Sequence, residues 1–148
     1  MDRIIHVVTV RRPRPEVFRA VSTGDGLAAW WTKKVRGKQE PRVGDEMDLT
    51  FVPDFNPTLM LDVIDQPTMV RWVCVAGHRP WSDSALEFRL EEVARGTRLL
   101  FVQTFATRLD HLEYGTYNFN WGFYLESLRL CCQQGKGKPF DPARGRCD

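Results

Sequence analysis

From Met47 to Phe105 the sequence keeps a period of two. Met47, Leu49 and Phe51 alternate with Asp48 and Thr50, and Leu59, Leu61 and Val63 alternate with Met60, Asp62 and Ile64. Val70, Trp72 and Cys74 alternate with Met69, Arg71 and Val73, and Leu86, Phe88 and Leu90 with Glu87, Arg89 and Glu91. Thr97, Leu99, Phe101, Gln103 and Phe105 close the series, alternating with Arg98, Leu100, Val102 and Thr104. Successive side chains of a strand point to opposite faces, so each run has one apolar face. Turn residues separate the runs: Pro53-Asp54-Phe55-Asn56-Pro57, Gln66-Pro67, the loop Ala76 to Pro80 with Gly77 and His78, and Arg95-Gly96. Short strands joined by turns form an antiparallel meander with one wet face. The other face must be covered by a second layer, and that requirement constrains the fold most.

The cover comes at the end of the chain. Asp110-His111-Leu112-Glu113 fits a helix start in which Asp110 caps and Glu113 reaches back. Tyr114, Tyr117, Trp121, Leu125, Leu128 and Cys132 then recur in steps of three or four, with Phe119, Phe123 and Leu130 to the side. Gly135-Lys136-Gly137-Lys138-Pro139 ends the helix. A helix over 111–134 is about 36 Å long at about 1.5 Å per residue. Before the meander, residues 3–10 read as a β-branched strand, stopped by Arg12-Pro13-Arg14-Pro15. A short helix follows around Glu16 to Val21, broken by Thr23-Gly24-Asp25-Gly26, and a second runs from Leu27 to Trp31. The basic segment Lys33 to Arg42 reads as a solvated loop or an edge strand.

The expected fold is therefore α+β. A curved antiparallel sheet of about 6–7 strands wraps around a long C-terminal helix, with two short helices after the first strand. A curved sheet meets a straight cylinder imperfectly, and the gap is either packed solid or left as a cavity. Trp72, Phe88, Phe101, Phe105, Tyr117 and Trp121 are placed to line it, with Leu61, Val63, Leu125 and Leu128 completing the wall. Gln103 or Tyr117 would supply a polar anchor. The expected occupant is a small apolar or amphipathic molecule.

At 148 residues the chain is the size of one domain, read as 1–135 with a C-terminal tail over 136–148. The net charge of +2 belongs to that tail, where Lys136, Lys138, Arg144 and Arg146 outnumber Asp141 and Asp148. Residues 1–132 balance, so the folded part has no basic field of the kind that nucleic acid requires. No signal peptide and no apolar run of membrane-spanning length is visible. Cys74, Cys131, Cys132 and Cys147 lack CxxC spacing, so reduced thiols and a cytoplasmic location are expected. His6, His78 and His111 share no ligand spacing with one another, and the serines lack a nucleophile-elbow motif. Neither a metal nor a cofactor is expected. General acid–base work would fall to Gln103, Tyr114, Tyr117, Asn118 or His6 if their phase turns them inward.

Five segments, in order, carry a family likeness over about residues 3–135. They are Val10-Arg11-Arg12-Pro13-Arg14-Pro15-Glu16-Val17-Phe18-Arg19-Ala20-Val21, Gly26-Leu27-Ala28-Ala29-Trp30-Trp31, Asp65-Gln66-Pro67-Thr68-Met69-Val70-Arg71-Trp72, Gly96-Thr97-Arg98-Leu99, and Trp121 with Tyr124-Leu125-Glu126-Ser127-Leu128. The sequence resembles the SRPBCC superfamily of START-like, helix-grip domains. Within it, the chain is most similar to the branch of activator of heat-shock-protein-90 ATPase homologues. It reads as a single domain, whereas the eukaryotic chaperone activators that name the branch carry an additional upstream domain. Members usually place glycine before the tryptophan of the last helix, and here the order is Asn120-Trp121-Gly122. The resemblance implies a ligand cavity between sheet and helix. It also implies two alternatives: a chaperone-linked protein-interaction module, and a cyclase- or hydrolase-like enzyme using polar groups of the cavity.

Overall fold

The computed structural model describes residues 2–146. Cys147 and Asp148, read above as a reduced thiol and a tail charge, lie outside the described residues. Seven antiparallel strands form one open sheet in the order β1-β7-β6-β5-β4-β3-β2. They are β1 (Arg3–Val10), β2 (Lys34–Arg36), β3 (Glu46–Thr50), β4 (Thr58–Asp65), β5 (Met69–Ala76), β6 (Ala85–Val93) and β7 (Gly96–Thr104). The helices are α1 (Arg14–Ser22), α2 (Gly24–Trp30) and α3 (His111–Gln134). The α+β helix-grip expectation is met, and the basic segment does hold an edge strand, β2.

Alternation sets the inner face. Leu59, Leu61, Val70, Trp72, Cys74, Leu86, Phe88, Leu99 and Phe101 are all fully buried there. The β4–β5 register shifts twice, between Thr58 and Leu59 and between Leu61 and Val63. An extra residue at a bulge turns the strand, so Val63 is half-buried and not a full member of the wall.

Two glycines permit close approaches. A Cβ on Gly96 would stand 2.2 Å from the Val10 carbonyl oxygen, and its φ is +142°, so the β6–β7 turn fits against the end of β1 only without a side chain. A Cβ on Gly26 would stand 2.3 Å from the Arg19 carbonyl oxygen, where α2 crosses α1. The first helix does break at Thr23, but α2 starts at Gly24, three residues before the expected Leu27. Thr23 is the reason: it ends α1 in extended geometry, and its hydroxyl accepts from Gly26 N at 3.0 Å.

Helix α3 begins as the sequence predicts. Asp110 accepts from Glu113 N at 2.8 Å, and the Glu113 side chain accepts from Asp110 N at 3.1 Å. Its fully covered face is Trp121, Tyr124, Leu125, Ser127 and Leu128. Tyr114 falls outside that face, and Phe119, at 65% exposed, stands in solvent. The expected tail is docked. Phe140 N donates to Trp31 O and Lys33 N to Phe140 O, both at 2.8 Å, and Ser127 Oγ accepts from Lys138 N at 2.6 Å.

Candidate functional site

At one end of the sheet the layers do not close. The β3–β4 connection brings Phe51, Val52 and Phe55, and the β5–β6 connection brings His78 and Trp81. Helix α3 presents Tyr117, Asn120, Trp121 and Tyr124 from its first half. Trp31 ends α2, and Phe140 and Arg146 arrive from the segment after α3. These residues bound a partly open cavity of about 390 Å³, within the common range for small-molecule pockets.

The wall is almost continuous aromatic surface. Trp81 stacks on Trp121 with centroids 6.1 Å apart, and Trp31 meets Trp121 at 5.1 Å. Phe55 stands edge-on to Trp81 at 5.1 Å and to His78 at 4.7 Å. Such rings hold one another in place and leave flat faces for a guest. Near the mouth, the Arg146 guanidinium lies 4.4 Å from the Phe123 ring centroid and donates to Asn120 Oδ1 at 3.2 Å.

Polar chemistry is concentrated in one pair. His78 Nε2 lies 3.2 Å from the Tyr117 hydroxyl. Burial pushes Tyr117 up to about 12, helped by the negative charges of Glu113 and Asp110. Burial also lowers His78 below the ordinary histidine value, against the opposing pull of Asp54 and Glu113. At neutral pH the pair is a phenol and a neutral imidazole. His78 Nδ1 is sealed without a partner. A buried orphan N–H is among the rarest features of folded proteins, so the imidazole proton belongs on Nε2. Nε2–H then donates to the Tyr117 oxygen, and the phenolic O–H stays available to the cavity. Among the described residues no three His, Cys, Asp or Glu side chains converge to hold a metal ion.

Of the eleven side chains expected on the wall, Tyr117 and Trp121 border this cavity. The others do not. Leu61, Trp72, Phe88, Phe101, Leu125 and Leu128 are packed into the solid core, where Phe101 approaches Trp121 to 4.1 Å between centroids. Val63 is half-buried beyond the bulge. Phe105 is buried, with its ring stacked on Tyr117 at 5.8 Å. Gln103, expected as an anchor, is fully buried and spent internally. Its oxygen accepts from Trp121 Nε1 at 2.7 Å and its amide donates to Ser84 Oγ at 3.0 Å. The large rings thus fill the middle of the sheet–helix gap, and the aromatic cavity lies where loops close the end. His6 and Asn118 bond each other at 3.0 Å on the exposed side of α3.

Sequence reasoning missed the loop residues Phe51, Val52, Phe55, His78 and Trp81, and also Trp31, Asn120, Tyr124, Phe140 and Arg146. A signal existed. Phe55 and Trp81 are large rings inside proline-marked turns, where no strand period requires them. An aromatic ring in a loop needs a surface to rest on.

Known proteins place this architecture. The sequence pattern of the family described as "Activator of Hsp90 ATPase homolog 1-like protein" matches residues 11–132. The chain belongs to that family. Its helix-grip fold agrees with the solution structure of the Aha1 dimer from Colwellia psychrerythraea, at TM-score 0.81 and 26% identity, covering 93% of this chain and 100% of that one. CalU16 from Micromonospora echinospora has the same fold at TM-score 0.69 and 22% identity, over 86% of this chain and 72% of that one. MLL2253 from Mesorhizobium loti aligns at TM-score 0.73 and 16% identity, over 87% and 95%. No curated protein matches the sequence. Activator-of-Hsp90-ATPase-homolog-like domains share the SRPBCC fold, which commonly binds hydrophobic ligands. No helix among the described residues of this member is long and apolar enough to cross a membrane.

Proposed function

We propose that this chain binds a small apolar or amphipathic molecule in the cavity at the open end of the sheet. The observation that carries the reading is the cavity itself: about 390 Å³, walled by aromatic rings drawn from α2, two loops, α3 and the segment after it. A guest there exchanges water for ring faces and buries apolar surface at roughly 25 cal/mol per Å². Native mass spectrometry and thermal shift, run over fatty acids and bicyclic aromatics, test it. The expected result is a one-to-one adduct and a rise in Tm. A ligand at about a hundred times its Kd stabilises by roughly 2.7 kcal/mol, which is several degrees for a chain of this size. No adduct and no shift across the panel would overturn the reading.

A second reading is a chaperone-linked interaction module. Family membership supports it, together with Leu112 and Phe119, which stand 72% and 65% exposed on the outer side of α3. Pull-down with an Hsp90-type chaperone, followed by its ATPase rate, decides it. No binding at micromolar concentration counts against it. A cyclase- or hydrolase-like reaction would have to use Tyr117 as its acid, since the His78–Tyr117 pair holds the shifted titratable groups of the cavity.

A further inference from the structure

The five tryptophans divide into two sets. Trp30 donates its indole N–H to Ala20 O at 2.8 Å, Trp72 to Val21 O at 3.1 Å and Trp121 to Gln103 Oε1 at 2.7 Å. Among the described residues, Trp31 and Trp81 have no protein acceptor for theirs. Both residues are more than nine-tenths buried, at 3% and 4% exposure. Yet neither nitrogen is sealed, because His78 Nδ1 is the buried polar side-chain atom left without a partner. Both rings line the cavity. An indole nitrogen can only donate. A largely buried donor without an acceptor is costly unless a guest or solvent supplies one.

Tyr117 adds a donor of the same sense. The Tyr117 O–H faces the cavity once Nε2–H of His78 donates to the phenolic oxygen. The Asn120 side-chain oxygen is already engaged by Arg146 at 3.2 Å. The cavity therefore offers flat aromatic faces and, in the two indole N–H groups, donors that lack a protein acceptor among the described residues. A guest without an acceptor, such as an alkyl or ammonium compound, would leave these indole donors unpaired.

We infer that the cavity selects planar aromatic carbonyl or carboxylate compounds, whose acceptor oxygens are received by the indole N–H groups of Trp31 and Trp81. The inference rests on the ligand-binding reading of the cavity and adds the chemical class to it.

Four naphthalenes of one shape separate the two. Titration of the full chain with 2-naphthoate, 2-acetylnaphthalene, 2-ethylnaphthalene and 2-naphthylmethylammonium is read by calorimetry and by proton–nitrogen spectra of the five indoles. The naphthoate and acetyl probes are expected to bind about tenfold tighter than the ethyl probe, and the ammonium probe weakest. The Trp31 and Trp81 indole resonances should move downfield with the two acceptor probes and not with the ethyl probe, while those of Trp30 and Trp72 stay in place. If all four bind alike, or the ammonium binds best, the donor inference falls and the cavity reading stands. If none binds, both fall. If the acceptor probes bind but the Trp31 and Trp81 N–H resonances do not respond, the assignment to these two residues is wrong.

Discussion

Replacing Gln103 by leucine separates a ligand anchor from a core strut. Gln103 has no exposed surface and links Ser84, on the β5–β6 connection, to Trp121 on α3. Leucine fills a similar volume and removes both bonds. The Trp121 N–H, now 2.7 Å from nothing that accepts, becomes a buried unsatisfied donor, which costs about 1–3 kcal/mol, and the lost Ser84 bond adds about 1 kcal/mol. The expected loss is roughly 2–4 kcal/mol. For a chain of this size each kcal/mol moves Tm by about 2–4 °C, so Tm should fall by roughly 4–16 °C. Urea unfolding with an unchanged m-value reads the loss directly. Trp121→Phe in the same background completes a double-mutant cycle, whose coupling should be about 1–2 kcal/mol. Cavity affinity, measured well below Tm, should change less than twofold. A stability loss under about 0.5 kcal/mol, or a tenfold loss of affinity in a variant of intact stability, refutes the internal role.

Gly26→Ala should destabilise by more than about 2 kcal/mol, because the new methyl meets the backbone of Arg19 and Ala20 at 2.3 and 2.8 Å, which cannot swing aside; chemical denaturation checks it. The lowered His78 predicts a stability that is full above the unfolded histidine value of about 6.5 and declines as pH falls through the lower folded value. His78→Gln should flatten that slope in unfolding curves taken between pH 7 and 5. The lowered carboxyls of Asp45, Glu126 and Asp141 add a further decline, in the same direction, below the ordinary carboxylate range. Ending the chain after Gly135 removes Phe140 and Arg146 from the cavity wall; it should lower Tm and weaken any cavity ligand at least tenfold, read by thermal shift and calorimetry. An unaltered affinity would mean that residues 136–146 are dispensable to the site.

The fold was legible because its signals are local and repeated. Period-two runs, the Asp110–Glu113 cap and the glycine at 96 each have one physical reading, and those readings agree with one another. The site was less legible. Trp72, Phe88 and Phe101 have the composition of a binding wall, but composition does not say whether facing rings interlock or stand apart. That depends on the third dimension, where Phe101 and Trp121 meet at 4.1 Å between centroids. Gln103 read as an anchor because a polar residue on an apolar strand face signals a partner. The partner is Trp121, which strand phase alone cannot name. The segment after α3 was read as a tail since charge and glycine mark it as solvated. Phe140, the one large apolar residue within it, is what docks it.

The pairing of β1 with β7 has a consequence in time. Strands β2 to β7 each pair with the neighbour next in sequence, so those hairpins can form as soon as their residues meet. β1 pairs only with β7, matching Val10 to Thr97 and Arg3 to Thr104. The first strand made must wait for the seventh, and the loop it closes encloses most of the chain. Such long-range closure slows folding. Until it happens, β7 has an open edge and the inner face stays uncovered on that side, which is the state most exposed to mispairing between chains. Contacts that must form to cross the barrier act on the folding rate. Substitutions along β1 should therefore retard folding more than they hasten unfolding, and the time the chain spends exposed hangs on its first strand.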